Sequence, residues 1–319
     1  MKFFFTVDVE IWLGGSKNLD ERFPDAFKTF IYGTKRSGDL GLPLKLKILN
    51  DHGLKGVFFV EALFATRFGK EPLAEIVGLI HEAGHEVQMH VHTEWVDEVE
   101  DLLHLGRSGN RQNLYMFTRE EQTELIAIAK DLLADCGAAR INTFRAGNFG
   151  MNADTVKALA DNGIMCDTSY NHTHLGPDNR MSNGPILVQP RQYDGVHEYP
   201  MTVYEDRAGH FRHFQLGACS YPETESVMRQ ASDAGWDNLV MLSHNFELMN
   251  QRKTRSDPIV LERFLQLARF LEKHSDEFTT QGFQELQPHC ADIQPSPPRV
   301  ESDAVMLRHR EQLKRWIYL

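Results

Sequence analysis

The sequence predicts an α/β fold built on a parallel sheet with helices outside it, and three observations carry that prediction. Apolar runs of strand formers alternate with helix-like stretches about seven times along the chain. Two of those runs, Gly56–Val60 and Asn238–Leu242, are apolar almost throughout, as buried strands are. Polar residues stand at the C-terminal ends of the runs: Asp8, Glu61, His90, Arg145, Asp167 and His244. The alternation leaves a barrel and an open doubly wound sheet both open. No G-x-G-x-x-G or Walker loop follows the first strand, which weakens a nucleotide-binding reading.

The elements follow in order. Met1–Glu10 is a run of strand formers that ends in the two carboxylates Asp8 and Glu10. Residues two apart on a strand share a face, so the two acids point the same way, with Phe4 and Thr6 behind them. Residues 12–41 are expected as a long irregular insert whose aromatics, among them Trp12, Phe23, Phe27, Phe30 and Tyr32, make it a packed lid. A helix from Leu42 to His52 is stopped by Gly53, and the strand 56–60 ends in Glu61. A helix over 72–83 is stopped by Gly84. Glu86 to His92 then alternates, with Val87, Met89 and Val91 on one face and Gln88, His90 and His92 on the other. Residues 95–105 read as an acidic helix and 106–116 as a basic loop. Thr118 and Glu121 form a capping box opening a helix to Cys136. Residues 141–144 are a strand before Arg145, 152–162 a helix, and 164–166 a strand before Asp167. Further strands are expected at 186–188 and at 196–203, the second with Glu198 inside it. Helices are expected over 222–234 and 257–273, and between them the strand 238–242 is capped by Ser243 and His244. Residues 1–287 are expected to form the main domain. Residues 288–298 read as a Pro-rich linker and 300–319 as a terminal helix.

Composition narrows the function. The 319 residues can bury a large core. A net charge of -11 argues against nonspecific binding to nucleic acid or anionic membranes. The four cysteines at 136, 166, 219 and 290 form no C-x-x-C pair and read as reduced thiols. No signal peptide and no apolar stretch long enough to span a bilayer are read, so the cytoplasm is the expected location.

Six polar residues at the ends of different strands point to one chemically active edge. His90 and His92 have the H-x-H spacing of a metal site. His90 and Glu94 offer a second spacing, i and i+4, if the chain turns helical. Asp8 or Glu10 supplies a carboxylate from the neighbouring strand. Mixed imidazole and carboxylate donors suit zinc, or Co, Ni, Mn or Fe(II). Such a cation activates water and polarises a carbonyl. A free carboxylate takes the water proton, and a histidine across the site protonates the leaving group.

Taken together, Thr6-Val7-Asp8-Val9-Glu10, Gly84-His85-Glu86 followed by His90, Arg145-Ala146-Gly147-Asn148-Phe149-Gly150 and Leu242-Ser243-His244 resemble, in order, the motifs of the polysaccharide deacetylase (NodB-homology) family, over about residues 1–250. The resemblance implies a deformed (β/α)7 barrel, here with a C-terminal helical extension, that removes acyl groups from sugars with a divalent metal. It implies Asp8 as catalytic base, Arg145 as the residue that tunes it and His244 as general acid. It also implies Glu10 and His90 as metal ligands. The chain departs from the pattern at three places. The second metal histidine falls at Glu94, with His92 nearby, so both stand as candidates. Gly147-Asn148 replaces Pro-Tyr. The metal acid is Glu rather than Asp. The expected substrate is an acylamino sugar, free or carried on a nucleotide or lipid, in surface-glycan metabolism. An amidase acting on a non-sugar small molecule and a non-catalytic glycan-binding barrel are the rival expectations.

Overall fold

The computed structural model describes residues 1–15, 17–33, 40–99, 102, 111–138, 140–181 and 184–318. In chain order the strands and α-helices are β1 (Lys2–Val9), α1 (Leu19–Phe27), α2 (Leu42–Asp51), β2 (Gly56–Glu61), α3 (Ala65–Phe68), α4 (Glu71–Glu82), β3 (Glu86–Val91), α5 (Arg119–Asp135), β4 (Thr143–Ala146), α6 (Ala153–Asp161), β5 (Cys166–Asp167), β6 (Arg191–Tyr193), β7 (Val196–Glu198), β8 (Val203–Arg207), β9 (His210–His213), α7 (Tyr221–Asp233), β10 (Asn238–His244), α8 (Pro258–Lys273), β11 (Thr279–Thr280) and α9 (Ser302–Tyr318).

β1 is the hinge of the design because both of its faces are buried. Phe3, Phe5 and Val7 pack outward under the helices, while Phe4 turns into the concave side with Val57, Phe59, Tyr199 and Phe283. Phe4 stacks on Phe283 at 4.3 Å, which plugs the end of the curl remote from the strand termini. The sheet order is β10-β1-β2-β3-β4-β5-β7-β6, and β11 joins β1. The first seven strands of that order are parallel and β6 is antiparallel. The far edge of β10 meets chain that follows β7: Val240 N donates to Thr202 Oγ1 (2.9 Å), Thr202 N to Val240 O (3.3 Å) and Leu242 N to Phe214 O (2.9 Å). The sheet therefore curls into a deformed seven-strand barrel, closed by irregular segments rather than by a last regular strand. Parallel strands put all their C-terminal ends at one rim.

Local sequence explains the boundaries. The capping box at Thr118 and Glu121 is present, and Asn152 with Thr155 and Ser220 with Glu223 form two more. Several expectations change. The insert after Trp12 is not irregular. α1 buries Leu19, Phe23 and Phe27 along one face, Phe23 stacks on Phe68 at 3.8 Å, and a π-helical turn follows at Lys28–Tyr32. Residues 93–98 are a 3-10 turn, and most of the basic loop lies outside the described residues. Residues 186–188 are not a strand. The run 196–203 breaks at Tyr199-Pro200 into β7 and the start of the unforeseen β8–β9 hairpin.

The terminal helix α9 folds back onto α7, α8 and β8 through ion pairs. Arg308, 2% exposed, donates to Glu223 Oε1 and Asp206 Oδ2, both at 2.7 Å. Arg263 donates to Glu311 (2.6 Å) and Arg315 to Asp257 (2.6 Å). Removing one side of a buried pair leaves its partners desolvated and uncompensated. Arg308→Ala is therefore expected to lower stability by about 3 kcal/mol or more, read by urea denaturation. Lys47→Ala, which breaks an exposed pair to Asp51, should leave the midpoint unchanged.

Candidate active site

The register brings the expected residues to one rim. Asp8 on β1 lies opposite His244 on β10, and His90 on β3 opposite both Glu61 on β2 and Arg145 on β4. Arg145 has no exposed surface and crosses the concave side. Its Nη1 donates to Asp8 Oδ1 at 2.6 Å and to Thr6 Oγ1 at 2.9 Å, its Nε donates to Thr168 Oγ1 at 2.8 Å, and its guanidinium lies 4.3 Å over the Phe59 ring. Asp8 is thus fixed by a charge-assisted bond from one side.

Glu10 gathers the histidines. Its Oε1 receives His90 Nε2 at 2.9 Å and His92 Nε2 at 3.0 Å, and its Oε2 accepts from Trp12 Nε1 at 2.5 Å. Burial pushes the Glu10 carboxyl up, but the charge of His92 and the bonds from both imidazoles outweigh it and hold Glu10 well below the usual carboxylate range. Burial likewise pulls His92 down, while Glu10 and Glu94 raise it well above the usual imidazole value. Asn245 clamps the backbone here: Glu10 N donates to its Oδ1 (3.1 Å), and its Nδ2 donates to Glu10 O (3.2 Å) and Phe30 O (2.8 Å), tying the insert to the rim.

The donor set fits a divalent metal. Ligand atoms of Glu10, His90 and His92 lie within 4.8 Å of one another, and so do those of Asp8, Glu10 and His244. The second nitrogen of each imidazole is already engaged, His90 Nδ1 with Arg145 O (2.8 Å) and His92 Nδ1 with Glu94 Oε2 (3.1 Å), which is how ligating histidines are oriented. Glu94 therefore stands behind His92 rather than in the cluster, a correction to its place as a candidate ligand. His92 takes the inward position because nothing occupies residue 147. A Cβ on Gly147 would lie 2.8 Å from His92 Cγ and Nδ1. Two departures from the motif pattern are thus one feature: the ring at 92 uses the space a side chain at 147 would fill.

The remaining strand-end acids are not alike. Glu61 accepts from Leu63 N (2.7 Å) and Phe64 N (3.2 Å), yet burial pushes its pKa up to about 8. Asp167 pairs with Phe144 and so faces away from Arg145, toward the helix layer, where it meets Glu198 on β7. Burial raises both acids. The Asp167 charge raises Glu198 further, well above the usual range. These two do not belong to the site.

Three contributors escaped sequence reading. Glu247 accepts from Ser243 Oγ (2.7 Å) and Gln215 Nε2 (2.8 Å), and Gln215 Nε2 also approaches His244 Nδ1 at 3.5 Å. Lys45, fully buried, donates to Ser243 Oγ at 2.5 Å, and burial pulls its pKa down to about 8. A lysine on the apolar face of α2, in step with Leu42, Leu46 and Leu49, was the available signal.

Residues 41–166 match the family model described as polysaccharide deacetylase. Over that segment the chain resembles the polysaccharide deacetylase family. The matched segment holds His90, His92 and Arg145; Asp8, Glu10 and His244 lie outside it and reach it through the fold. A search by sequence among curated proteins gives no significant match. Among solved structures, the chain is similar to a family 4 carbohydrate esterase from Streptomyces lividans in complex with acetate (12% identity over 88% of this chain and 91% of that one, TM-score 0.41). It is also similar to a Mycobacterium smegmatis protein provisionally described as a polysaccharide deacetylase (18%, 90% and 94%, TM-score 0.48). A third similar structure is BA3943 from Bacillus anthracis, a CE4 family pseudoenzyme (11%, 88% and 69%, TM-score 0.43).

Two outcomes follow. Gly147→Ala forces the His92 ring aside and is expected to weaken zinc affinity by about tenfold or more, measured by competition with a chromogenic chelator. The folded values of Asp167 and Glu198 are raised, so their contribution to stability is complete below the unfolded carboxylate range and drains away as pH rises through the folded values. Glu198→Gln keeps the shape and the donor without the titration. Its melting temperature should fall less than wild type's as pH rises above the unfolded carboxylate range.

Proposed function

We propose that the protein is a metal-dependent hydrolase that removes an N-acyl group, acetyl or formyl, from an acylamino sugar used in making a surface glycan. Glu10, His90 and His92 hold the metal, with zinc first among the candidates. One observation carries the reading: a carboxylate and two oriented imidazoles converge beside an acid that a buried arginine holds in place.

When bound, a divalent metal with an open position lowers the pKa of water and polarises the acyl carbonyl. The chain's own groups do the rest. Asp8, held by Arg145 from one side, accepts the proton of the attacking water through its other oxygen. A C–O bond forms at the acyl carbon. The C–N bond then breaks, with His244, across the rim on β10, giving its proton to the departing amine nitrogen. Because His92 fills the position left by Glu94, the departure at 94 does not argue for a barrel without catalysis.

The test uses acetate or formate release from a panel of acylamino sugars. Treatment with a chelator should abolish release, and adding back zinc or cobalt should restore it. Asp8→Asn should retain bound metal but lose at least about 100-fold in kcat, and His90→Ala should lose the metal. Full activity in Asp8→Asn, or turnover that no chelator affects, would sink the reading.

A further inference from the structure

The loop behind His244 carries a charge for which the deacylation steps have no use. Residues 250–255 close tightly after β10: Lys253 N donates to Asn250 O (2.9 Å), Asn250 N to Arg255 O (2.9 Å), and Asn250 Oδ1 accepts from Thr254 N (2.8 Å). The closure puts Lys253 at φ +53°, a conformation that an L side chain adopts only at a cost. What it achieves is placement. Lys253 Nζ lies 4.3 Å over the Phe246 ring. Phe246 stacks on His244 at 5.4 Å and takes Trp12 edge-on at 5.5 Å. Trp12 is tied to Glu10 through its indole N–H, yet 56% of it is exposed.

Lys253 is half-buried, and among the described residues no carboxylate lies within ion-pair distance of its ammonium. Glu247 and Asp257 act on it only at a distance, and Arg315 opposes them. Arg252 and Arg255 stand exposed on the same turn. Arg252, Lys253 and Arg255 place three cations within four residues beside the reacting rim of a chain whose net charge is -11. A half-buried ammonium without a counter-ion is costly, and an arriving anion removes that cost.

We propose that Lys253, with Phe246 and the open face of Trp12, forms a subsite for a compact oxyanion, phosphoryl or carboxylate, carried by the substrate sugar. The inference rests on the acylamino-sugar reading and narrows it. The apolar face of the sugar ring lies on Trp12, its acylamino group reaches Glu10 and His244, and its anionic substituent meets Lys253 one ring's breadth away.

The experiment measures binding by calorimetry to the zinc-loaded protein. The probes are N-acetylglucosamine, its 1-phosphate, its UDP conjugate and an N-acetylhexosaminuronate, with acetate release as a second readout. Wild type is expected to bind at least one anionic form about tenfold more tightly than the neutral sugar. That ratio should fall toward one in Lys253→Ala and persist in Lys253→Arg. The phosphate against the uronate tells which oxyanion is taken, and the 1-phosphate against the UDP conjugate tells whether a carrier adds to it. Equal binding of neutral and anionic sugars by wild type, or a preference that survives Lys253→Ala, overturns the subsite. A Lys253-dependent preference with no acetate released from any probe would instead overturn the deacylation reading and leave the subsite standing. Failure of every probe to bind would overturn both.

Discussion

A guanidinium without exposed surface organises this rim. Arg145 reaches from β4 across the concave side to β1 and donates through Nη1 and Nε to Asp8, Thr6 and Thr168. An unpaired charge at that depth would be severely destabilising, so the arginine and Asp8 require each other. Its backbone serves as well, since Arg145 O fixes His90 Nδ1. One residue thus sets both the acid proposed as base and the orientation of a proposed ligand. Anything that shifts β4 against β1 and β3 disturbs both at once.

The rest of the ligand set follows from what Arg145 leaves free. With Asp8 committed to the guanidinium, Glu10 is the acid that faces the imidazoles. His92 lies just past the end of β3, and its ring returns to Glu10 only because Gly147, two residues after Arg145, has no side chain in the way. Glu94 then has no ligand's place to fill and instead holds His92 Nδ1. A substitution at 94 and another at 147, far apart in sequence and unrelated by periodicity, answer one steric problem.

How much of this was legible in the sequence depended on the range of the interaction. Strand identity and the common rim were readable at β1, β2, β3 and β10, where unbroken apolar runs end in polar residues. The choice between His92 and Glu94 was not readable, because it turns on a contact between β3 and the loop after β4 that no local pattern encodes. Asp167 was misplaced for a related reason. It ends a strand like the others, but a two-residue strand gives no alternation from which to read its face, and the pairing with Phe144 turns it outward. The helix in the insert was hidden by Pro24, and the β8–β9 hairpin by short strands with polar outer faces.

The carboxylates show how little residue type alone decides. Glu10, Glu61 and Glu198 are all buried at strand ends of one sheet. Glu10 finds two imidazole partners, and the charge of His92 with the bonds from both rings holds its carboxyl low. Glu61 feels the charge of His92 and accepts from two backbone amides, yet burial prevails. Glu198 finds another acid, and its carboxyl is pushed well above the usual range. Burial opposes ionisation in all three, so the outcome is set by how many charged or hydrogen-bonding partners each acid has against it. Of the three, only Glu10 lies within reach of two oriented imidazoles, and that convergence, rather than the presence of acids at the rim, is why we propose Glu10 as the place for a cation.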